Sequence, residues 1–400
     1  MGLSIACLFL CGLTLAEIFD KLRLPRLLGM ILAGILIGPG VLGWLHPSLL
    51  GISPDLRQIA LIIILTRAGL SLKAADLKKV GRPAALLCFV PACFEIGGFL
   101  LLGPPLLHIS LLDAAIVGAT LAAVSPAVIV PRMLKLMDSG YGANKSIPQM
   151  ILAGASVDDV FVIVVFGSVT SLAQTGNFSA LSFLNIPVSI ISGLGVGLLC
   201  GVVLLILFRF VRLPDTIRMI LMLCAGLLLA ALETFLKPWV AMSAMLGVMA
   251  MGFLVFQRAP AIAKPLSQKF STLWVFGEIV LFVLVGANVD LHYAISAGFA
   301  PVLLILAALV FRSVGVLLSL IATPLTLKER LFCVIAYLPK ATVQAAIGGV
   351  PLAMGLPCGQ LVLTVAVLGI LITAPIGAIG IDLTYRKFLS PANAENAAGA

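Results

Sequence analysis

Two neighbouring aspartates, Asp158 and Asp159, lie inside the segment LAGASVDDVFVIVVFG, which is otherwise apolar. At the centre of a membrane helix, each carboxylate costs about 2.5 to 3.5 kcal/mol on insertion scales. Burial and the like charge of the neighbour both favour the neutral carboxyl form. Because a proton and a metal cation compete for the same carboxylate oxygens, the pair indicates a site where one can replace the other.

The composition of the surrounding chain indicates a membrane protein. Of its 400 residues, 62% are hydrophobic and 10% charged, and the mean hydropathy is +1.22. Apolar runs long enough to cross a hydrocarbon layer of about 30 Å repeat from end to end. We predict an all-α polytopic membrane protein with about thirteen spans, numbered 1 to 13: 3–19, 27–43, 56–72, 82–107, 111–135, 147–173, 185–208, 216–236, 238–256, 271–289, 297–322, 329–353 and 358–385.

The basic residues alternate between the two sides of these spans. Of the 25 lysines and arginines, 20 lie in odd-numbered loops or at the C-terminal end of span 13, and only Arg57 and Lys237 belong to even-numbered loops. Cytoplasmic loops carry such an excess, which predicts an external N-terminus and a cytoplasmic C-terminus. Topology thus explains the net charge of +9, and we expect no nucleic-acid partner.

The two halves of the chain resemble each other. Residues 68–72 of span 3 align with residues 287–291 of span 10, seven spans later. An odd shift reverses orientation, so we predict inverted repeats of six helices, spans 1–6 and 8–13, with span 7 as the link. Spans 5 and 12 also carry helix breakers at corresponding places: Pro126, Pro131, Pro339, Gly348, Gly349 and Pro351. Interrupted helices in both halves indicate a transport site.

Five further charged residues lie within predicted spans: Glu95, Glu278, Arg67, Arg312 and Lys340. A lone charge there would be costly, so we expect Glu95 and Arg312 to pair, either as a structural brace or with a direct part in ion coupling. Lys340 lies beside Pro339 where span 12 is interrupted. Two interpretations stay open for it: a partner of the aspartates, or a side chain that extends to the membrane interface.

Other function classes find less support. An intramembrane aspartyl protease needs aspartates that converge from different helices, whereas these two are adjacent, and no G-x-G-D segment occurs. The eight cysteines form no C-x-x-C pair and are interpreted as small, buried apolar residues. We therefore expect neither an enzyme nor a bound cofactor.

Four segments resemble the monovalent cation:proton antiporters, and most closely the NHA branch related to animal sodium/hydrogen exchangers. They are LRQIALIIILTRAGL, AAVSPAVIVPRML, GYGANKSIPQMILAGASVDDV and YLPKATVQAAIGGVPL. The resemblance implies a homodimer in which a dimer domain faces a six-helix core where spans 5 and 12 cross. It also implies that Asp158 and Asp159 carry the ion and the proton. At the position of Arg312 the NHA branch likewise has arginine, where many electrogenic relatives have lysine.

These observations together predict a secondary antiporter that exchanges Na⁺ or Li⁺ for H⁺ by alternating access in a bacterial-type inner membrane. A K⁺/H⁺ antiporter or a sodium-coupled organic-anion symporter on the same fold is the alternative. We expect Asp159 to ligate the cation and Asp158 to share the proton and contact Lys340, with Thr120 and Ser125 completing the site. The expected divisions are 1–81 and 174–296 for the dimer domain with its link, 82–173 and 297–389 for the core, and a disordered tail at 390–400.

Overall fold

A computed structural model describes residues 1–22, 24–71, 81–175, 180–236, 239–240, 242–296 and 298–391. Within these ranges the chain is helical and contains no β-strand. Lys237 and nearly all of the predicted tail lie outside the described residues. The helices are α1 Gly2–Lys21, α2 Arg26–Ile37, α3 Pro47–Gly51, α4 Ser53–Gly69, α5 Gly81–Leu87, α6 Val90–Leu107, α7 Leu111–Leu121, α8 Pro126–Asp138, α9 Ile147–Thr175, α10 Ala180–Phe210, α11 Asp215–Leu236, α12 Ala244–Arg258, α13 Pro260–Ala287, α14 Leu291–Ser296, α15 Ala300–Ser319, α16 Leu327–Ala336, α17 Thr342–Ile347, α18 Val350–Ala353 and α19 Gly359–Phe388.

Every predicted span corresponds to helix in the structure. Seven segments of the described chain are long and apolar enough to cross a membrane unaided, and shorter apolar helices account for five further spans. The remaining one, span 3, is the 17-residue helix α4. Span 5 is divided into α7 and α8, and span 12 into α16, α17 and α18. The predicted interruption of both spans is confirmed.

Proline explains the break in span 5. Pro126 occupies the first turn of α8, where its missing N–H is tolerated. The same missing N–H leaves the carbonyl of Ala122, four residues earlier, without its helical donor. Residues 122–125 therefore leave the helix, whereas Pro131 is accommodated within α8.

Span 4 differs from the prediction of one continuous helix. It consists of α5 and α6, which are separated at Cys88 and Phe89. Pro91 follows in the first turn of α6 and offers no N–H to the carbonyl of Leu87. The break is thus the same proline effect that interrupts span 5.

The helices pack in two groups that place the interrupted spans at the centre of one. In the first group, α6 packs along α15, α7 contacts α6 and α9, and α16 packs on α19. In the second, α2 and α4 pack on α13, and α10 packs on α12. Small residues allow close approach there, because a Cβ on Gly197 would overlap the backbone of Gly247. Helix α17 contacts α4 and α13 where the two groups meet.

Two expectations about individual residues need correction. Arg57, counted above with an even-numbered loop although it lies at the start of predicted span 3, is the fifth residue of α4 and is buried. All eight cysteines are free thiols, as expected, yet Cys93 and Cys224 are exposed rather than buried. Exposed apolar side chains are normal for a chain whose outer surface contacts lipid.

Candidate functional site

The two interrupted spans cross and satisfy each other's backbone. The Ser125 N–H donates to the Pro339 carbonyl at 2.8 Å. Nε2 of Gln344 donates to the carbonyls of Leu121 and Ala123 at 3.2 and 2.8 Å. Oε1 of the same side chain accepts from the Ala341 N–H at 2.8 Å. Unwound backbone at this depth is tolerated because it is buried in protein and hydrogen-bonded.

Arg312 of α15 joins the first crossing segment to two buried acids. Its Nη1 lies 2.7 Å from Glu95 Oε2, and its Nη2 lies 3.1 Å from Asp158 Oδ2. Its Nη1 also donates to the carbonyl of Ala122, the group that Pro126 leaves without a helical donor. Glu95 and Arg312 therefore pair, as their mid-span positions predict.

The backbone and ring of Tyr337 also hold Arg312 in place. Nε of Arg312 donates to the Tyr337 carbonyl at 2.7 Å, just beyond the end of α16. The guanidinium carbon lies 5.6 Å from the centroid of the Tyr337 ring, a distance at which a cation–π contact is favourable. The planar guanidinium carries five N–H donors, so it can bind two carboxylates and two carbonyls at once, whereas a lysine ammonium would reach few of them.

Lys340 contacts Glu95 and not Asp158, which corrects the expected pairing. Its Nζ lies 2.6 Å from Glu95 Oε2, and its backbone N–H donates to Thr373 Oγ1 at 2.9 Å. Oε2 of Glu95 thus lies between the two bases and accepts from both Lys340 and Arg312. The alternative that Lys340 extends to an interface is also wrong, because its side chain is 1% exposed.

The two aspartates occupy different environments. Asp158 is fully buried, and its Oδ2 accepts from the Val124 N–H at 2.8 Å in addition to Arg312. Asp159 is partly exposed. Neighbouring helical residues point about 100° apart, which explains the difference. Within the described ranges, Oδ1 of each aspartate is buried and has no hydrogen-bond partner.

The two hydroxyl residues expected at the site differ in their availability. Ser125 is fully buried, follows the Val124 that binds Asp158, and its Oγ has no partner among the residues that the structure describes. Thr120 is also buried, but its Oγ1 donates to the carbonyl of Ile116 in its own helix at 2.8 Å. Ser125 thus offers a free oxygen and a free donor, whereas Thr120 offers only lone pairs.

The charges around the crossing balance except for one carboxylate. Arg312 and Lys340 supply two positive charges, and Glu95 and Asp158 supply two negative charges in direct contact with them. Asp159 takes part in none of the ion pairs found in the described chain. When it is ionised, its charge needs an additional cation or proton. Carboxylate, hydroxyl and carbonyl oxygens are the ligand types that hard cations prefer.

Sequence reasoning missed three contributors to this site, namely Gln344, Tyr337 and Thr373. Gln344 is a fully buried amide in interrupted span 12, and a polar side chain between two helix breakers is a signal that could have identified it. Tyr337 acts through its backbone carbonyl, which accepts a hydrogen bond from Arg312. Thr373 acts through its hydroxyl oxygen, which accepts from the backbone N–H of Lys340. Side-chain type alone carries no signal for such contacts.

Comparison with known proteins gives a consistent result. A family model described as "Sodium/hydrogen exchanger, transmembrane" matches residues 5–387. The human protein "Sodium/hydrogen exchanger 9B2" is 32% identical over 98% of this chain and 76% of its own length. Its counterpart in Xenopus tropicalis is 35% identical over 94% of this chain and 72% of its own.

A solved structure shares the fold. The sodium proton antiporter MjNhaP1 from Methanocaldococcus jannaschii, solved at pH 8, superposes with a TM-score of 0.83. The match covers 97% of this chain and 98% of that one at 21% identity, so it supports the architecture of crossed, interrupted helices. From the family model and the animal relatives, the chain belongs to the sodium/hydrogen exchanger family.

Proposed function

We propose that this chain exchanges Na⁺ or Li⁺ for H⁺ across a membrane, with Asp159 as the cation ligand and Asp158 sharing the proton. Membership in the sodium/hydrogen exchanger family supports cation/proton antiport. The observation that carries the residue assignment is the pair of buried Oδ1 atoms, one on each aspartate, that have no hydrogen-bond partner in the described chain. Such oxygens can accept either a proton or a cation.

The charge balance supports one cation for one proton. Glu95, Asp158, Arg312 and Lys340 neutralise one another in direct contacts. Asp159 then carries the single uncompensated charge, and either ion neutralises it. We expect exchange at this site to move no net charge.

Ser125 is the additional ligand that we assign to the cation. Its free Oγ lies beside the unwound segment that binds Asp158. Thr120 contributes at most a lone pair, because its proton is donated to Ile116. The first turn of α8 begins at the next residue, and its positive end favours a carboxylate held nearby.

Alternating access fits the packing of the helices. Segments 82–173 and 297–389 form the moving core in this proposal, and 1–81 and 174–296 form the scaffold through which a homodimer would assemble. A cavity of about 530 Å³ opens between α4, α9 and the α11–α12 connection. Asp159 does not line it, whereas Ile163, one turn later on α9, does. Ile163 also lines a small apolar void together with Leu65 and Met249.

The basic residues support the orientation within the proposal. Their excess in odd-numbered loops favours an external N-terminus and a cytoplasmic C-terminus, so the cavity beside α4 would face outward. A bacterial-type inner membrane was expected from the sequence, and it stays part of the proposal.

The test is proton flux in proteoliposomes. A trapped pH dye reports flux after external addition of Na⁺, Li⁺ or K⁺, with and without a clamped membrane potential. We expect Na⁺ and Li⁺ to drive flux at a rate that the clamp does not change. Flux driven by K⁺ alone would favour a K⁺/H⁺ antiporter, and cation uptake that requires an organic anion would favour a symporter.

A further inference from the structure

The charge of Arg57 has no part in the site described above. Its side chain is 7% exposed, and its Nε donates to the Ser53 carbonyl at 3.3 Å. Nη1 is buried without a hydrogen-bond partner in the described part of the chain. None of the ion pairs formed by the described residues includes Arg57. A buried arginine normally has a partner, because isolating its charge is costly.

Arg57 forms part of the wall of the cavity of about 530 Å³, called the Arg57 cavity below. The polar side chains of Gln58, Thr170 and Ser243 also line it. A water molecule occupies about 30 Å³ in the liquid. The cavity therefore has room for a small ion together with several of its hydration waters.

Gly349 determines where the charge lies. A Cβ added to Gly349 would overlap Nη1 of Arg57 and would come within 2.8 Å of its Cζ. Glycine therefore lets the guanidinium lie at the junction between α17 and α18, and a side chain at this position would displace it. The position of the charge depends on both helix groups, since α4 supplies the arginine and the interrupted span supplies the glycine.

Two acids also line the cavity, and neither neutralises Arg57. Asp55 is exposed in the first turn of α4, and residues two positions apart on a helix do not face each other. Glu233 Oε2 accepts from the Ala244 N–H at the start of α12 at 3.1 Å. Their charges would oppose an anion with two or more charges far more than an anion with one.

We propose that the Arg57 cavity binds one small, singly charged anion, a halide or the carboxylate of a small solute, at the guanidinium of Arg57. Arginine is weakly hydrated for a cation and suits such a partner, especially a carboxylate that can accept two hydrogen bonds. The site uses none of the residues assigned to cation exchange, so it is independent of the proposed function and is tested by binding alone.

The test is equilibrium binding of radiolabelled chloride to the full-length, detergent-solubilised protein in a chloride-free buffer. We expect saturable binding of one chloride per chain, displaced by unlabelled bromide and by acetate. Arg57→Gln should weaken binding by at least about tenfold, because the charge-assisted hydrogen bonds are lost. Arg67→Gln, on the same helix and outside the cavity wall, is the matched control and should bind as the wild type does.

Two further variants separate loss of the site from loss of the fold. Gly349→Ala keeps the arginine but displaces its guanidinium, so we expect binding to weaken by about as much as in Arg57→Gln. Arg57→Lys keeps the charge and should bind more tightly than Arg57→Gln. Size-exclusion elution like that of the wild type shows that each variant is folded. Wild-type protein without saturable chloride binding would overturn the proposal, and so would Arg57→Gln or Gly349→Ala that binds chloride with wild-type affinity.

Discussion

Glu95 and Arg312 lie 217 positions apart in the chain and meet in its interior, where Nη1 of the arginine is 2.7 Å from Oε2 of the carboxylate. Each residue also has a second partner of opposite charge. Glu95 contacts Lys340, and Arg312 contacts Asp158. Four charges, three from helices and one from the unwound link between α16 and α17, therefore form one connected network.

Removal of either central charge should destabilise the protein. Glu95→Gln or Arg312→Gln leaves a buried charge short of a partner, which typically costs about 3 to 5 kcal/mol. We expect the melting temperature in detergent to fall in both variants, and to fall further for Arg312→Gln, because this side chain also binds the carbonyls of Ala122 and Tyr337.

The double variant tests the pairing itself. Once both central charges are gone, Lys340 and Asp158 remain as one positive and one negative charge, so part of the lost stability should return. Arg132→Gln, which breaks a pair with the 55%-exposed Asp382, should shift the melting temperature far less. A double variant as unstable as the sum of the two single variants would argue that the residues act separately.

Substitution of the aspartates should stop transport without unfolding the chain. In Asp159→Asn, the carboxylate with no ion-pair partner is replaced by a neutral amide, so neither ion can be exchanged there. We expect cation-driven proton flux in proteoliposomes to fall to the level of empty vesicles. Asp382→Asn, at the exposed pair with Arg132, should retain the wild-type rate. Normal Na⁺-driven flux in Asp159→Asn would show that the site is misassigned.

Asp158→Asn should impair transport for a different reason. The substitution removes one of the two acids that balance Arg312 and Lys340, so it adds a net positive charge beside the cation site. We expect both slower flux and a lower melting temperature, because Arg312 loses an ionic partner. An Asp158→Asn variant with full stability and full flux would contradict this role.

Lys340→Ala should move the pH dependence of antiport. The lysine contacts Glu95 and lies one partner away from Asp158, so its charge acts on the aspartates through space. Without that positive charge, the protonated aspartates are favoured, and activation should begin at higher pH, by about one unit or less. The check is the flux rate against pH for wild type and variant at saturating Na⁺. An unchanged profile would leave Lys340 with a packing role only.

Gln344→Leu should weaken the crossing of spans 5 and 12. The substitution leaves the carbonyls of Leu121 and Ala123 and the N–H of Ala341 without their partner. Each buried group left unsatisfied costs about 1 to 3 kcal/mol, so the melting temperature should fall. Gln360→Leu is the matched control, because Nε2 of Gln360 makes no hydrogen bond within the described residues. Equal melting temperatures for the two variants would contradict the role of Gln344.

Much of the architecture follows from patterns that a sequence displays directly. Apolar length and the alternation of basic residues predict the spans, and proline at corresponding places predicts the two breaks. The pairing of Glu95 with Arg312 could be expected because a lone charge in a membrane is costly. The break at Cys88 and Phe89 carried the same signal, Pro91, yet proline near a span end does not by itself distinguish a kink from a separated helix.

The choice of partners within the site could not be predicted. Because burying an unpaired charge is costly, Lys340 must pair with an acid. That argument does not say which acid, and three acids lie near the crossing. The outcome depends on Glu95 lying between Arg312 and Lys340, 2.7 and 2.6 Å from them, which is a matter of distance. The burial of Arg57 was missed for a related reason. It lies near the predicted start of a span, where sequence alone does not separate an interfacial side chain from one covered by the other half of the protein.

The long-range hydrogen bonds of the span 5 break also bear on how the protein is made. The carbonyl of Ala122 is satisfied by a residue 190 positions later, and those of Leu121 and Ala123 by one more than 220 positions later. At about 5 to 20 residues per second, a ribosome needs roughly 10 to 40 s to synthesise 190 residues. During that interval the first half of the protein is already emerging from the ribosome, while the partners of its broken helix do not yet exist. The nascent first repeat must therefore use water or the insertion machinery as a temporary partner, and its ion site forms only after the second repeat has been inserted.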